Sequence, residues 1–235
     1  MLYYISQFLL EEASGTEWQE RISALRLFRY ITFRSAGAAV TALVMSWWLG
    51  PRVITWLKQL KFGQEYEDRA QTGASLGARV LSKKGTPTMG GIMIVLTLNF
   101  STLMWAQWNT LIQLTLLSVV VLTGLGFYDD YAKIIQQSGK GTAPRTKLWV
   151  QFGLAGFIAL YLWKVPATSR LITDIMVPFY KYPVLSGVAG VGIVLTVLTI
   201  VGSSNAVNLT DGLDGLAAGC VVIVSFVFVV LTYLA

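Results

Sequence analysis

From Leu216 to Ala235 the chain runs without a single charged side chain. About 20 apolar residues are what an α-helix needs to cross a hydrocarbon core about 30 Å thick. Comparable runs recur at Ile31–Leu49, Gly90–Trp105, Leu111–Tyr128, Leu148–Trp163 and Val184–Val201. None shows the strict alternation of a barrel strand. The expected fold is therefore all-α: a polytopic membrane helix bundle with six transmembrane helices, forming one domain over 1–235. Composition agrees, since 13% of the residues are charged against about 25% in soluble domains.

Within this frame Arg34 is expected to snorkel outward and Pro51-Arg52 to close the first span. Trp47, Trp48, Trp105, Trp108, Trp149 and Trp163 fall near proposed helix ends, where an aromatic belt belongs. Basic residues set the orientation. Arg52, Lys58, Lys61, Arg69, Arg79, Lys83 and Lys84 lie between the first two spans, and Lys133, Lys140, Arg145 and Lys147 between the third and fourth. They outnumber the basic residues on the other side. This places 52–89, 129–147 and 202–215 in the cytoplasm and the N-terminus outside. The Lys164–Pro183 segment, mixing charge, proline and aromatics, is expected along the outer membrane surface. Met1–Glu20 carries Glu11, Glu12, Glu17 and Glu20 and no basic leader, so no cleavable signal peptide is expected. The run ending at Ala235 has no polar tail after it, which points to more protein beyond.

Helix parity then gathers three polar clusters beneath one leaflet. The first is Ser82-Lys83-Lys84-Gly85-Thr86-Pro87-Thr88-Met89-Gly90-Gly91, the second Asp129-Asp130 with Lys133 and Lys147. The third is Asn205-Ala206-Val207-Asn208-Leu209-Thr210-Asp211-Gly212-Leu213-Asp214-Gly215. An ionised aspartate in hydrocarbon costs about 2.5–3.5 kcal/mol on insertion scales. Adjacent Asp129 and Asp130 therefore belong at the water boundary beside a cation. Each cluster also has a structural interpretation. The acids can mark a solvated helix end, Lys83-Lys84 a cytoplasmic anchor, and Gly90-Gly91 close helix packing. Asp211 or Asp214 can cap the last helix. The two Asp-Gly steps argue instead that the backbone opens, which membrane depth tolerates only inside protein or at a cavity.

The donor chemistry favours Mg²⁺ over Zn²⁺. There is no histidine and one cysteine, Cys220, while carboxylates are available. Mg²⁺ takes oxygen ligands, keeps waters and is commonly shared with substrate phosphates. The same counts exclude a disulfide framework and histidine acid–base chemistry within this chain.

Together the clusters resemble the polyprenyl-phosphate N-acetylhexosamine-1-phosphate transferase superfamily. Lys-Lys-Gly-Thr-Pro-Thr-Met-Gly-Gly at 83–91 is most similar to its bacterial cell-wall branch, and N-acetylglucosamine-1-phosphate transferases differ there. Gly-Phe-Tyr-Asp-Asp-Tyr-Ala-Lys at 126–133 and the 205–215 segment match the other superfamily signatures. The resemblance implies passage of phospho-MurNAc-pentapeptide from UDP-MurNAc-pentapeptide to undecaprenyl phosphate, giving lipid I and UMP with Mg²⁺. It implies Asp129, Asp130, Lys133 and Asp211 as catalytic, with Asp129, Asp130 and Asp211 as metal ligands. Lys83, Thr88, Lys147, Asn205, Asn208 and Asp214 become substrate-binding, with Lys83 and Asp214 at the uracil nucleotide. The implied setting is the bacterial cytoplasmic membrane; the bilayer and a second copy of the chain are candidate partners, and nucleic acid is not.

The family fold has ten spans, a later acidic motif and a histidine-rich loop. Six spans and no histidine make this chain the expected N-terminal part. A transferase for another UDP-N-acetylhexosamine, a folded fragment without catalysis, and an ion-coupled transporter are the competing interpretations. A transporter would place its polar residues near the bilayer midplane. Here Asn99 is the only strongly polar residue in the middle of a span.

Overall fold

The computed structural model describes residues 1–59, 89–135, 141–177, 179–211 and 215–234. Among them the chain is helical, with one isolated antiparallel bridge, Ile175–Leu185, and no strand. The helices are α1 (Leu2–Glu12), α2 (Trp18–Arg21), α3 (Ile31–Gln59), α4 (Gly91–Trp105), α5 (Thr110–Ile135), α6 (Pro144–Lys164), α7 (Arg170–Thr173), α8 (Ala189–Thr210) and α9 (Leu216–Leu234). A 3₁₀ segment, Ser23–Arg29, precedes α3.

Among the described residues, Ile31–Gln59, Thr110–Lys133, Ala189–Thr210 and Leu216–Tyr233 are long and apolar enough to cross a membrane. Two further expected spans do not reach that mark. Helix α4 has 15 residues, about 22 Å at 1.5 Å per residue, and α6 carries Arg145, Lys147 and Gln151 in its first half. The Leu216–Tyr233 window has 0% of its residues buried. Such apolar exposure around a whole helix suits lipid, not water.

The chain forms two compact units, Met1–Ala143 and Pro144–Ala235. In the first, α3 and α4 run antiparallel along a seam of small residues. The Trp105 ring lies directly against Gly37, its Nε1 donates to Thr41 Oγ1 at 2.9 Å, and Ser101 Oγ donates to Ala38 O at 2.6 Å. At the other end Gly50 faces Met93 Sδ, 3.3 Å from where a Cβ would stand. Trp105 therefore turns into the protein, because Gly37 leaves room for it. Trp47 and Trp149 remain 81% and 77% exposed, as belt residues would.

Arg34 also departs from expectation. Its guanidinium is folded inward, donating to Phe28 O at 2.8 Å and Arg29 O at 2.9 Å and lying 5.0 Å over the Tyr3 ring. The last carbonyls of the 3₁₀ segment need donors, and Arg34 supplies them. Nor does Pro51 end the first span: α3 continues to Gln59. Arg52 Nη1 donates to Trp48 O at 2.6 Å, beside the ladder position that Pro51 leaves without an N–H.

In the second unit, α6 buries Gln151, Leu154, Ala155, Ile158 and Ala159 along one face. Their i, i+3/i+4 spacing forms a continuous stripe, and α8 covers it. Gly192 lies against the Ile172 carbonyl, so the short α7 backbone seats directly on α8. With Ile172 near Gly192 and Gln151 bonded to Asn205, α6 and α8 run antiparallel. Helix α8 starts at Ala189, later than the expected Val184, because Val184 N–H donates to Ile175 O at 2.9 Å in the bridge.

Candidate functional site

The first unit holds the paired acids at the end of α5. Asp129 is 6% exposed. Its Oδ1 accepts the Thr142 backbone N–H at 2.7 Å, and its Oδ2 lies 2.8 Å from Lys133 Nζ. Lys133 Nζ also donates to Asp130 Oδ1 at 3.0 Å. Residues i+3 and i+4 are neighbours on a helix, so one ammonium reaches both carboxylates. Ionised partners make these hydrogen bonds roughly twice as strong as neutral ones. The acids nevertheless differ, since the Asp130 side chain is 37% exposed against 9% for Asp129.

Glycine at 141 makes this closure possible. Its φ is +50°, and a Cβ would stand 2.5 Å from Asp129 Oδ1 and 2.9 Å from Lys133 Cε. Beside it, Thr142 Oγ1 is buried without a hydrogen-bond partner among the described residues. Among those residues no three His, Cys, Asp or Glu side chains gather to hold a metal alone. Mg²⁺ does not need such a cage, because it usually takes one or two carboxylates plus substrate phosphates. Two carboxylates and a buried hydroxyl with no partner fit that donor chemistry.

The second unit carries another polar group. Asn205 Nδ2 donates to Gln151 Oε1 at 2.7 Å and to Val201 O at 2.8 Å, and Gln151 Nε2 donates to Ser204 Oγ at 3.1 Å. Lys147 lies one turn before Gln151 on α6, and Asn208 about one turn after Ser204 on α8. Antiparallel packing brings these two to the same level. Asn208 and Asp211 are exposed. Helix α8 stays wound to Thr210 with Asp211 as its C-cap, and the opening expected at the two Asp-Gly steps involves Gly212 and Asp214, which lie outside the described residues. Asn205 and Asn208 thus lie about 60° apart around the helix.

Lys83, Thr88 and Asp214 lie outside the described residues. Asp129, Asp130 and Lys133 come together; Lys147, Asn205, Asn208 and Asp211 share the α6–α8 end of the second unit. Thr142, Gly141, Gln151 and Ser204 were not anticipated. Only Gln151 carried a signal: an amide one turn from Lys147 inside an otherwise apolar run.

The family model described as "Glycosyl transferase family 4" matches residues 112–235, more than half of the chain. The chain belongs to glycosyl transferase family 4. That match spans Asp129, Asp130, Lys133, Lys147, Asn205, Asn208, Asp211 and Asp214 of this family 4 chain. A second match, "Phospho-N-acetylmuramoyl-pentapeptide-transferase signature 1", covers residues 83–95, including Lys83 and Thr88. The chain is 41% identical over 236 residues to the phospho-N-acetylmuramoyl-pentapeptide-transferase of Methylacidiphilum infernorum (isolate V4), covering 100% of this chain and 62% of that protein. It is 42% identical over 219 residues to the like-named protein of Opitutus terrae, covering 92% of this chain and 58% of the relative. For Solidesulfovibrio magneticus the identity is 40% over 215 residues, with shares of 91% and 57%. The family 4 chain thus spans about three fifths of the length of these curated relatives.

Proposed function

We propose that the chain acts as a phospho-N-acetylmuramoyl-pentapeptide transferase, one domain over 1–235, at the cytoplasmic face of a bacterial membrane. It would transfer phospho-MurNAc-pentapeptide from UDP-MurNAc-pentapeptide to undecaprenyl phosphate, forming lipid I and UMP. The observation that carries this is the similarity along the whole chain to transferases of that name. The signature at 83–95 falls where the sequence had separated this substrate from other UDP-N-acetylhexosamines.

In the direct route an oxygen of the lipid phosphate bonds the sugar-bearing phosphorus while the bond to the UMP leaving group breaks. The acceptor is already an anion, so orientation and charge neutralisation are the main demands. One of the two acids, Asp129 or Asp130, takes the proton of the lipid phosphate. Lys133 and Lys147 hold phosphates, Lys83 and Asp214 the uracil nucleotide with Thr88 beside it, and Asn205 and Asn208 line the pocket. Asp129, Asp130 and Asp211 would be the ligands of Mg²⁺, which when bound would supply charge neutralisation at the pyrophosphate.

The test uses full-length protein in micelles containing undecaprenyl phosphate. UDP-MurNAc-pentapeptide should yield UMP and lipid I in equal amounts, with UMP release lost in Asp130→Asn. Release from UDP-N-acetylglucosamine instead would assign another substrate, and release from neither would end the transferase proposal.

A further inference from the structure

We infer that Gln151 is a positioning residue that turns the Asn205 amide so that only its carbonyl oxygen faces the substrate site. Asn205 is thereby a receptor for a hydrogen-bond donor of the nucleotide-sugar, or for a cation, and not for a phosphate oxygen. The inference rests on the transferase function proposed above.

Donor and acceptor arithmetic gives the orientation. A backbone carbonyl can only accept, so the atom of Asn205 that lies 2.8 Å from Val201 O is the amide nitrogen. The same nitrogen lies 2.7 Å from Gln151, whose atom there must be the accepting Oε1. Gln151 Nε2 is then left to face Ser204 Oγ, at 3.1 Å. Both Asn205 amide protons are used, one within α8 and one across to α6. Oδ1 remains, with no hydrogen bond among the described residues. Gln151 is 5% exposed, so its amide cannot exchange these partners for water. A buried amide with both ends satisfied is held in one orientation, because turning it would leave two groups unpaired.

A phosphate oxygen needs a donor, and Asn205 has none left to give. The chemistry of this position is that of a lone carbonyl oxygen, able to receive an N–H or O–H of base, ribose or sugar, or to face a divalent ion.

The test uses full-length protein, measuring UMP release as a function of UDP-MurNAc-pentapeptide and, separately, amide NMR of ¹⁵N-asparagine-labelled protein in nanodiscs. Gln151→Leu should raise KM about tenfold, the scale of one lost hydrogen-bonded contact, with a smaller change in kcat. Gln151→Glu still accepts the Asn205 N–H, while the Ser204 hydroxyl turns to donate; it should recover KM to within about threefold. Asn205→Asp, which keeps an oxygen but loses the donor, should be damaged about tenfold less than Asn205→Leu. The Asn205 side-chain amide protons should exchange slowly in wild type and Gln151→Glu and quickly in Gln151→Leu.

Equal loss in Gln151→Leu and Gln151→Glu, or Asn205→Asp as damaging as Asn205→Leu, would overturn the inference. So would fast amide exchange in wild type. Absence of UMP release from wild type would end the transferase proposal instead, and the NMR arm would still decide the amide orientation.

Discussion

The backbone N–H of Thr142 donates to Asp129 Oδ1 at 2.7 Å, across a separation of 13 residues. This bond closes the chain back onto the end of α5 and, with Lys133, engages both oxygens of one acid of the pair. The other acid keeps a half-exposed side chain. Adjacent aspartates that look equivalent in sequence therefore occupy different environments.

That difference predicts unequal costs. Asp129→Asn puts an amide where a buried carboxylate oxygen met an ammonium, at a cost of about 2 kcal/mol for a charge-assisted bond. Asp130→Asn loses a half-exposed ion pair, worth about 0.5 kcal/mol. Both should abolish UMP release, while thermal unfolding in detergent should separate them, with Asp129→Asn melting lower. Equal melting temperatures would remove the distinction.

Gly141→Ala tests the closure itself. The new methyl would meet Asp129 Oδ1 and Lys133 Cε, and alanine would have to hold φ near +50°. A non-glycine residue in that region costs about 1–3 kcal/mol. UMP release should fall at least tenfold. Thr142→Ala, which keeps the backbone N–H, should lose less in the same assay. If Thr142→Ala is the more harmful, the Thr142 hydroxyl and not the closure is what matters there.

These examples show what the sequence exposed and what it concealed. Asp129, Asp130 and Lys133 were legible because charged side chains after an apolar run have few places to go, and i+3/i+4 spacing joins them. Gly141 and Thr142 were not, since an ordinary Gly-Thr step gives no local sign that it will fold onto an acid 13 residues back. The inward fold of Arg34 has no sign in the sequence for the same reason: the carbonyls it satisfies belong to a 3₁₀ segment without an evident periodic signal. The Asp211-Gly212 and Asp214-Gly215 steps suggested opened backbone, and Gly212 and Asp214 lie outside the described residues, so only the helix leading up to them can be compared. Up to Thr210 α8 stays wound, with Asn205 bonding the Val201 carbonyl four residues back and Gln151 on another helix.

Gly192→Ala addresses the second unit. Its Cβ would run into the Ile172 carbonyl, a backbone atom that cannot swing aside as a flexible side chain can. Ile172 is itself 2% exposed, leaving little space for α7 to retreat. Overpacking of this kind costs about 1–3 kcal/mol. The melting temperature should fall, whereas Gly190→Ala, with nothing within 4 Å of its Cβ position, should leave it nearly unchanged. Matching behaviour of the two variants would show that α7 yields easily.

Whether the polar clusters share one compartment turns on the two helices that fall short as spans. If α4, at about 22 Å, does not cross, then Lys84 and Asp129 emerge on opposite sides; if α6 alone fails to cross, Asp129 and Asp211 separate instead. Hydrophobic mismatch costs only fractions of a kcal/mol per Å, so a 15-residue helix is tolerated where the bilayer thins or flanking residues reach out. Helix α4 is therefore expected to cross, and so is the 21-residue α6, whose Arg145 and Lys147 lie in its first turn where their long side chains reach the interface. In a Cys220→Ser background, single cysteines replacing Lys84, Lys140 and Leu213 should react with a membrane-impermeant maleimide from the cytoplasmic side of sealed vesicles. A cysteine replacing Lys181 should react from the opposite side. Labelling of Lys84→Cys and Lys140→Cys from different faces would place the Lys83-Lys84 segment and the paired acids across the membrane from each other, and no common transferase site could form.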